Sequence, residues 1–260
     1  VISPSLSIGE RHIRTSVFLS AIRTLLQGAA GMMSFEAIKQ RAEERKGGAA
    51  ALQALLEKHR PDHDRLRAMP DDRILADMTR RIFYSGFVQK VIDAKWPGFE
   101  AAFSGFDPAM LNIAPDDYWH ELTLDERIIR NGAKIMSVRA NAAFIRELAR
   151  EHGSAGAFLA DWPREDQIGL LDLLSKRGSR LGGMTGQYFL RGIGRDSFVA
   201  TMDVLACLRS AGVPLSASGT AKKDQPMIQQ AFNDWAEETG LSFIHLSRIS
   251  AYSIDAGAPH

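Results

Sequence analysis

Asp203 is the only acid in the apolar stretch "FVATMDVLACL" of residues 198–208. A carboxylate flanked by Met202 and Val204 is costly to bury unless something offsets it. Two accounts of it are compatible. Asp203 can begin the helix "VLACLRSAG" as its N-cap, and an ionised carboxylate held there can also face a cation developing in a reaction. About twenty residues upstream lies "KRGSRLGGMTG", residues 176–186. Gly182, Gly183 and Gly186 allow positive φ and leave successive N–H groups uncovered. With the N-terminus of the next helix they can hold one anionic oxygen, with Thr185 among them and Arg177 and Arg180 just ahead. A phosphate held this way fixes the register of a nucleic-acid backbone without reading its sequence. The alternative is a plain corner between two helices, with glycines chosen for close packing.

Other chemistry is largely excluded. The single cysteine, Cys207, rules out an intramolecular disulfide and a multi-cysteine zinc site. It fits a reducing compartment and packs as a small hydrophobe. His59 and His63 straddle Pro61, which spoils a helical ligand pair, while His120, His152 and His245 stand alone. No metal and no cofactor is expected. The 32 basic and 31 acidic residues nearly cancel, so a basic face must be a local matter. Arg127, Arg130, Lys134, Arg139, Arg191 and Arg195 are candidates for phosphate contact, although charged helix faces usually meet only solvent. No stretch approaches twenty apolar residues, so no membrane span is expected.

The elements that must position these groups read as helices almost throughout, and the fold class is all-α. "SFEAIKQRAEERKGG" has a Ser34 N-cap candidate and stops at Gly47–Gly48. "PDDRILADMTRRIFYSGF" opens with Pro70 and two acids, and its apolar residues recur at helical spacing. "QKVIDAKWPGFEAAFSGFDP" predicts a helix pair broken at Trp96-Pro97-Gly98. "DERIIRNGAKIMSVRANAAFIRELAREHGS" predicts a long helical stretch interrupted near Asn131–Gly132, and residues 213–226 predict a long loop. Residues 1–32 read as an extension outside the core, either an Arg/Ser-rich targeting segment or, as favoured, sequence ahead of a start at Met32 or Met33. Residues 33–255 form one helical domain, with a helix–hairpin–helix near 170–207.

The glycine hairpin, apolar helix, short loop and acid resemble the helix-hairpin-helix DNA glycosylase superfamily. More specifically, "DDRILADMTRRIFYSGF", "FEAAFSGFDP", "RIIRNGAKIMSVRANAAFI" and "KRGSRLGGMTGQYF" resemble, in the same order, segments of the 3-methyladenine DNA glycosylase I family over about residues 66–208. The resemblance implies a monomeric bacterial cytoplasmic enzyme of base excision repair that binds double-stranded DNA, flips out a damaged nucleotide and hydrolyses its N-glycosidic bond. Asp203 would stabilise the sugar cation and align water. Arg180, Gly182, Gly183, Thr185 and Gly186 would grip the backbone. Arg81, Tyr84, Phe87, Gln89 and Tyr188 would line the base pocket, with Phe83 and Phe87 expected mainly in the core. Bifunctional superfamily members use a lysine amine, and residues 177–221 contain no lysine, so a monofunctional enzyme is implied. The chain departs from the family in its zinc ligands, with Asp203 where a zinc histidine falls. Arg81 replaces the pocket glutamate, and Gln89 the pocket tryptophan. These departures leave a catalytically silent helix-hairpin-helix DNA-binding protein as the alternative.

Overall fold

The computed structural model describes residues 32–254, and among these it has fourteen α-helices and no strand. The expected extension, residues 1–32, lies outside the described residues except for Met32. In chain order the helices are α1 (Phe35–Lys46), α2 (Ala49–Leu56), α3 (His63–Arg67), α4 (Asp71–Tyr84), α5 (Gln89–Ala102), α6 (Pro108–Ile113) and α7 (Asp116–Leu124). There follow α8 (Gly132–His152), α9 (Ala155–Asp161), α10 (Gln167–Arg177), α11 (Gly183–Gly192), α12 (Met202–Ser210), α13 (Gln225–Thr239) and α14 (Phe243–Tyr252).

Local signals explain most boundaries. Asp71 and Asp72 occupy the first turn of α4, where they complement the helix dipole. Its Ile74, Leu75, Met78, Ile82 and Phe83 are all buried on one face. Asn131 does not interrupt a helix; its side chain caps α8 by accepting the Lys134 N–H at 3.1 Å. The expected break at Pro97 is absent, and α5 runs through it. Proline costs that helix one hydrogen bond, but the Trp96 ring stacks on Phe99 and Phe106 at centroid distances of 5.3 and 5.4 Å. Gly98 lets α5 press on the segment that follows α7, since a Cβ there would fall 2.4 Å from the Arg127 carbonyl oxygen. Packing therefore overrides the local breaker.

The buried side chains form two cores. The first runs from Leu66 to Ile193 and is centred on α4, α5 and α8, with α10 and α11 contributing. The second joins α1 and α2 to Phe198 and helices α12, α13 and α14. The start and the end of the described chain thus build one core together. Cys207 is fully buried there, with Sγ 3.5 Å from the Ser253 hydroxyl.

Candidate active site and nucleic-acid interface

The hairpin between α10 and α11 is built as a rigid turn. Asn141, fully buried on α8, clamps it: the side-chain amide donates to the Ser179 carbonyl at 3.1 Å and accepts the Ser179 N–H at 2.7 Å. Of the three glycines only Gly183 has positive φ, at 57°, so the expectation of positive φ at all three is corrected. Gly186 serves close approach instead, because a Cβ there would fall 2.3 Å from the Leu181 carbonyl oxygen. Arg180 itself holds φ at 60°, and its side chain donates to the Ala133 carbonyl at 3.2 Å. Gly182 caps α11 without a side-chain bond, and the first turn of a helix leaves its N–H groups without intrahelical partners. Thr185 lies half-buried in that turn.

Several expected phosphate cations are otherwise engaged. Arg177 pairs with Glu147 and Glu151, each at 3.1 Å. Arg127 pairs with Asp125, Arg130 with Glu126, and Arg139 with Asp116. Arg195 is only 4% exposed and donates to the carbonyls of Leu159, Ala160, Trp162 and Pro163, tying α9 to the loop after α11. It is an internal brace. Lys134 is buried too: its ammonium donates to the Phe83 and Ser85 carbonyls at the end of α4. Burial first, and then the Arg180 charge, push the Lys134 amine below its ordinary range.

Asp203 sits half-buried at the second position of α12. It is not the N-cap. Thr201 takes that role, its hydroxyl accepting the Val204 N–H at 3.4 Å. The loop before Asp203 is pinned by glutamines. Gln167, fully buried on α10, both accepts the Phe198 N–H and donates to the Phe198 carbonyl, each at 2.9 Å. Gln187 on α11 accepts the Ala200 N–H at 2.7 Å. Arg191, one turn further on, donates to the Ser197 carbonyl and the Ser247 hydroxyl. Both flanking helices thus hold the carboxylate's approach in place.

The expected pocket residues divide. Arg81 packs on α11, where a Cβ at Gly192 would fall 2.7 Å from its guanidinium, and it also lies over the Tyr84 ring at 5.4 Å. The Tyr84 hydroxyl donates to Asp93, and burial, then that bond, push the phenol up. Phe83 is buried core, as expected. Phe87 is not: it is 38% exposed on the turn after α4, with the Lys134 ammonium 4.6 Å from its ring centre. Tyr188 is exposed on α11. Gln89 is exposed at the start of α5. Three surface cavities lie around Arg73 and Trp96, around Arg146 and Pro108, and around His63 and Arg195; Asp203 lines none of them. Sequence reasoning missed Asn141, Gln167 and Gln187; Asn141, a lone amide between alanines of α8, carried a signal, whereas Gln167 follows three charged residues and reads as solvated. Among the described residues no cluster of three metal-ligating side chains occurs.

The family model described as methyladenine glycosylase matches residues 62–169. No curated protein sequence matches the chain. Among solved structures, the 8-oxoguanine DNA glycosylase of Methanocaldococcus jannaschii aligns with a TM-score of 0.52 at 13% identity, covering 84% of this chain and 93% of that one. A 3-methyladenine DNA glycosylase I aligns with a TM-score of 0.43 at 19% identity, over 52% of this chain and 81% of its own. A variant of the Staphylococcus aureus 3-methyladenine DNA glycosylase I gives 0.42 at 17%, over 58% and 90%. Over the described residues the chain shares the all-helical fold of the Methanocaldococcus jannaschii 8-oxoguanine DNA glycosylase, and residues 62–169 match the sequence pattern of the methyladenine glycosylases.

Proposed function

We propose that the protein is a monofunctional DNA glycosylase that removes an alkylated purine of the 3-methyladenine type by hydrolysing its N-glycosidic bond. The observation that carries this reading is the placement of Asp203 in the first turn of α12, behind a loop pinned by Gln167 and Gln187 beside the glycine hairpin. The methyladenine glycosylase match over residues 62–169 supports the substrate class.

A base within a duplex is out of reach, so the nucleotide must swing out, at a cost of a few kcal/mol that falls for damaged pairs. The first turn of α11 offers N–H groups to a backbone phosphate, with Arg180 beside it. Phe87 and Tyr188 expose rings on which an electron-poor base can stack. The Arg81 charge opposes a cationic purine, so neutral stacking has the larger share of recognition here. As the glycosidic bond breaks, the base leaves with the bonding electrons and positive charge gathers on the sugar. The Asp203 carboxylate faces that charge and aligns the water that attacks it.

Base release from alkylated duplex DNA, compared between the parent and Asp203→Asn, tests this. The variant is expected to lose about 10²–10³-fold in rate while binding duplex as before. Equal release by both overturns the role of Asp203, and release by neither overturns the alkylpurine reading.

A further inference from the structure

A second cationic cluster lies at the far end of α11 from the glycine turn. Arg191 ends that helix, and its guanidinium reaches the Ser247 hydroxyl on α14. The next residue of α14, Arg248, has an Nη1 3.5 Å from the Tyr252 hydroxyl, and the Tyr252 ring lies under the Lys46 ammonium at 4.7 Å. The turn after α2 brings in His59; it is docked on α14 by the His245 ring nitrogen, 3.2 Å from the Leu56 carbonyl oxygen. Arg191, Arg248 and the His59 imidazole are thus half-buried on three elements that meet at α14, with the exposed Lys46 at their edge.

Among the described residues, none of Lys46, His59, Arg191 or Arg248 forms an ion pair. The Asp196 carboxylate, whose charge reaches Arg191, is already engaged by Arg164 at 3.5 Å and by the Ile244 N–H at 3.1 Å. The Nε atoms of both Arg191 and Arg248 are buried without a partner. The Arg191 guanidinium is pushed down to about 10, by burial first and Arg248 second. Half-buried like charges are costly unless an anion joins them.

The geometry points to a phosphate-binding site formed by Arg191, Arg248 and His59, with Lys46 and the Tyr252 hydroxyl at its edge. Guanidinium forks match the oxygens of a phosphate group, and several cations suit its charge better than that of a single carboxylate. The site is distinct from the hairpin: α11 has ten residues, so its two ends stand about 15 Å apart. The phosphate comes either from a nucleic-acid strand lying along α11 or from a small phosphate compound.

Thermal melting in inorganic phosphate, against sodium chloride of equal ionic strength, tests the site without any base release. Phosphate is expected to raise the Tm of the parent and of Asp203→Asn alike, and to lose this effect in Arg248→Gln. Arg248→Glu supplies a control for folding. Its carboxylate can pair with Arg191, so it should melt above Arg248→Gln in chloride yet ignore phosphate. An equal phosphate response in the parent and both Arg248 variants, or none in the parent, overturns the proposal. Duplex affinity measured against salt then identifies the source. A log–log slope about one unit shallower in Arg248→Gln assigns a strand phosphate, and an unchanged slope assigns a small phosphate compound.

Discussion

At the residue scale, the carboxylate proposed to do the chemistry depends on side chains that do none. Asp203 is half-buried in a first helical turn, and the loop leading to it has no strand or helix to satisfy its backbone. Gln167 supplies both halves of that missing pairing at Phe198. Replacing it with Leu leaves a buried N–H and a buried carbonyl unpaired, a cost of about 1–3 kcal/mol each. We expect Gln167→Leu to lower the urea midpoint and to slow base release more than it weakens duplex binding. An equal loss in both activities would mean that the glutamine only supports the fold. The signal for this role was weak in the sequence: a glutamine at the start of a helix looks like a solvated residue until the chain folds back onto it.

At the element scale, the hairpin works because its backbone approaches itself more closely than any side chain permits. Gly186 faces the Leu181 carbonyl from within α11. Gly186→Ala is therefore expected to destabilise by about 1–3 kcal/mol through overpacking and to weaken duplex binding. Melting temperature and duplex Kd check this, and an unperturbed Tm would show that the turn yields. Gly186 was legible as a hairpin glycine, but its reason was not, since positive φ and close approach leave the same letter in a sequence. Pro97 teaches the converse. A strong local breaker sits inside α5 because the aromatic stack around Trp96 and the contact at Gly98 hold the helix on both sides of it.

At the scale of the whole molecule, the closing of the second core brings together charges that are far apart in the chain. His59 is lowered from its ordinary value by burial first, then by Arg248, Arg191, His245 and Lys58. A lowered folded value means that the unfolded chain binds more protons between that value and 6.5. Stability is then fully present above 6.5 and is lost as pH falls through the lowered value. We expect the Tm to drop on acidification over this window in chloride buffer and His59→Gln to flatten that drop. An identical slope in the variant would remove His59 from the cluster.

Much of the architecture follows from the chain's own pattern. The spacing of Ile74, Leu75, Met78, Ile82 and Phe83, the acids at the start of α4 and the glycines of the hairpin all act within a few residues, where local sterics and burial decide. The membership of each core, the clamp of Asn141 on the hairpin, the burial of Lys134 and Arg195 and the pinning of Asp203 did not follow. These depend on contacts between segments such as Gln167 and Phe198, or Arg191 and Ser247. A basic or amide side chain has the same identity whether it meets water or a buried carbonyl. Only the tertiary structure decides which, because desolvation is set by what packs against the group and not by its neighbours in sequence.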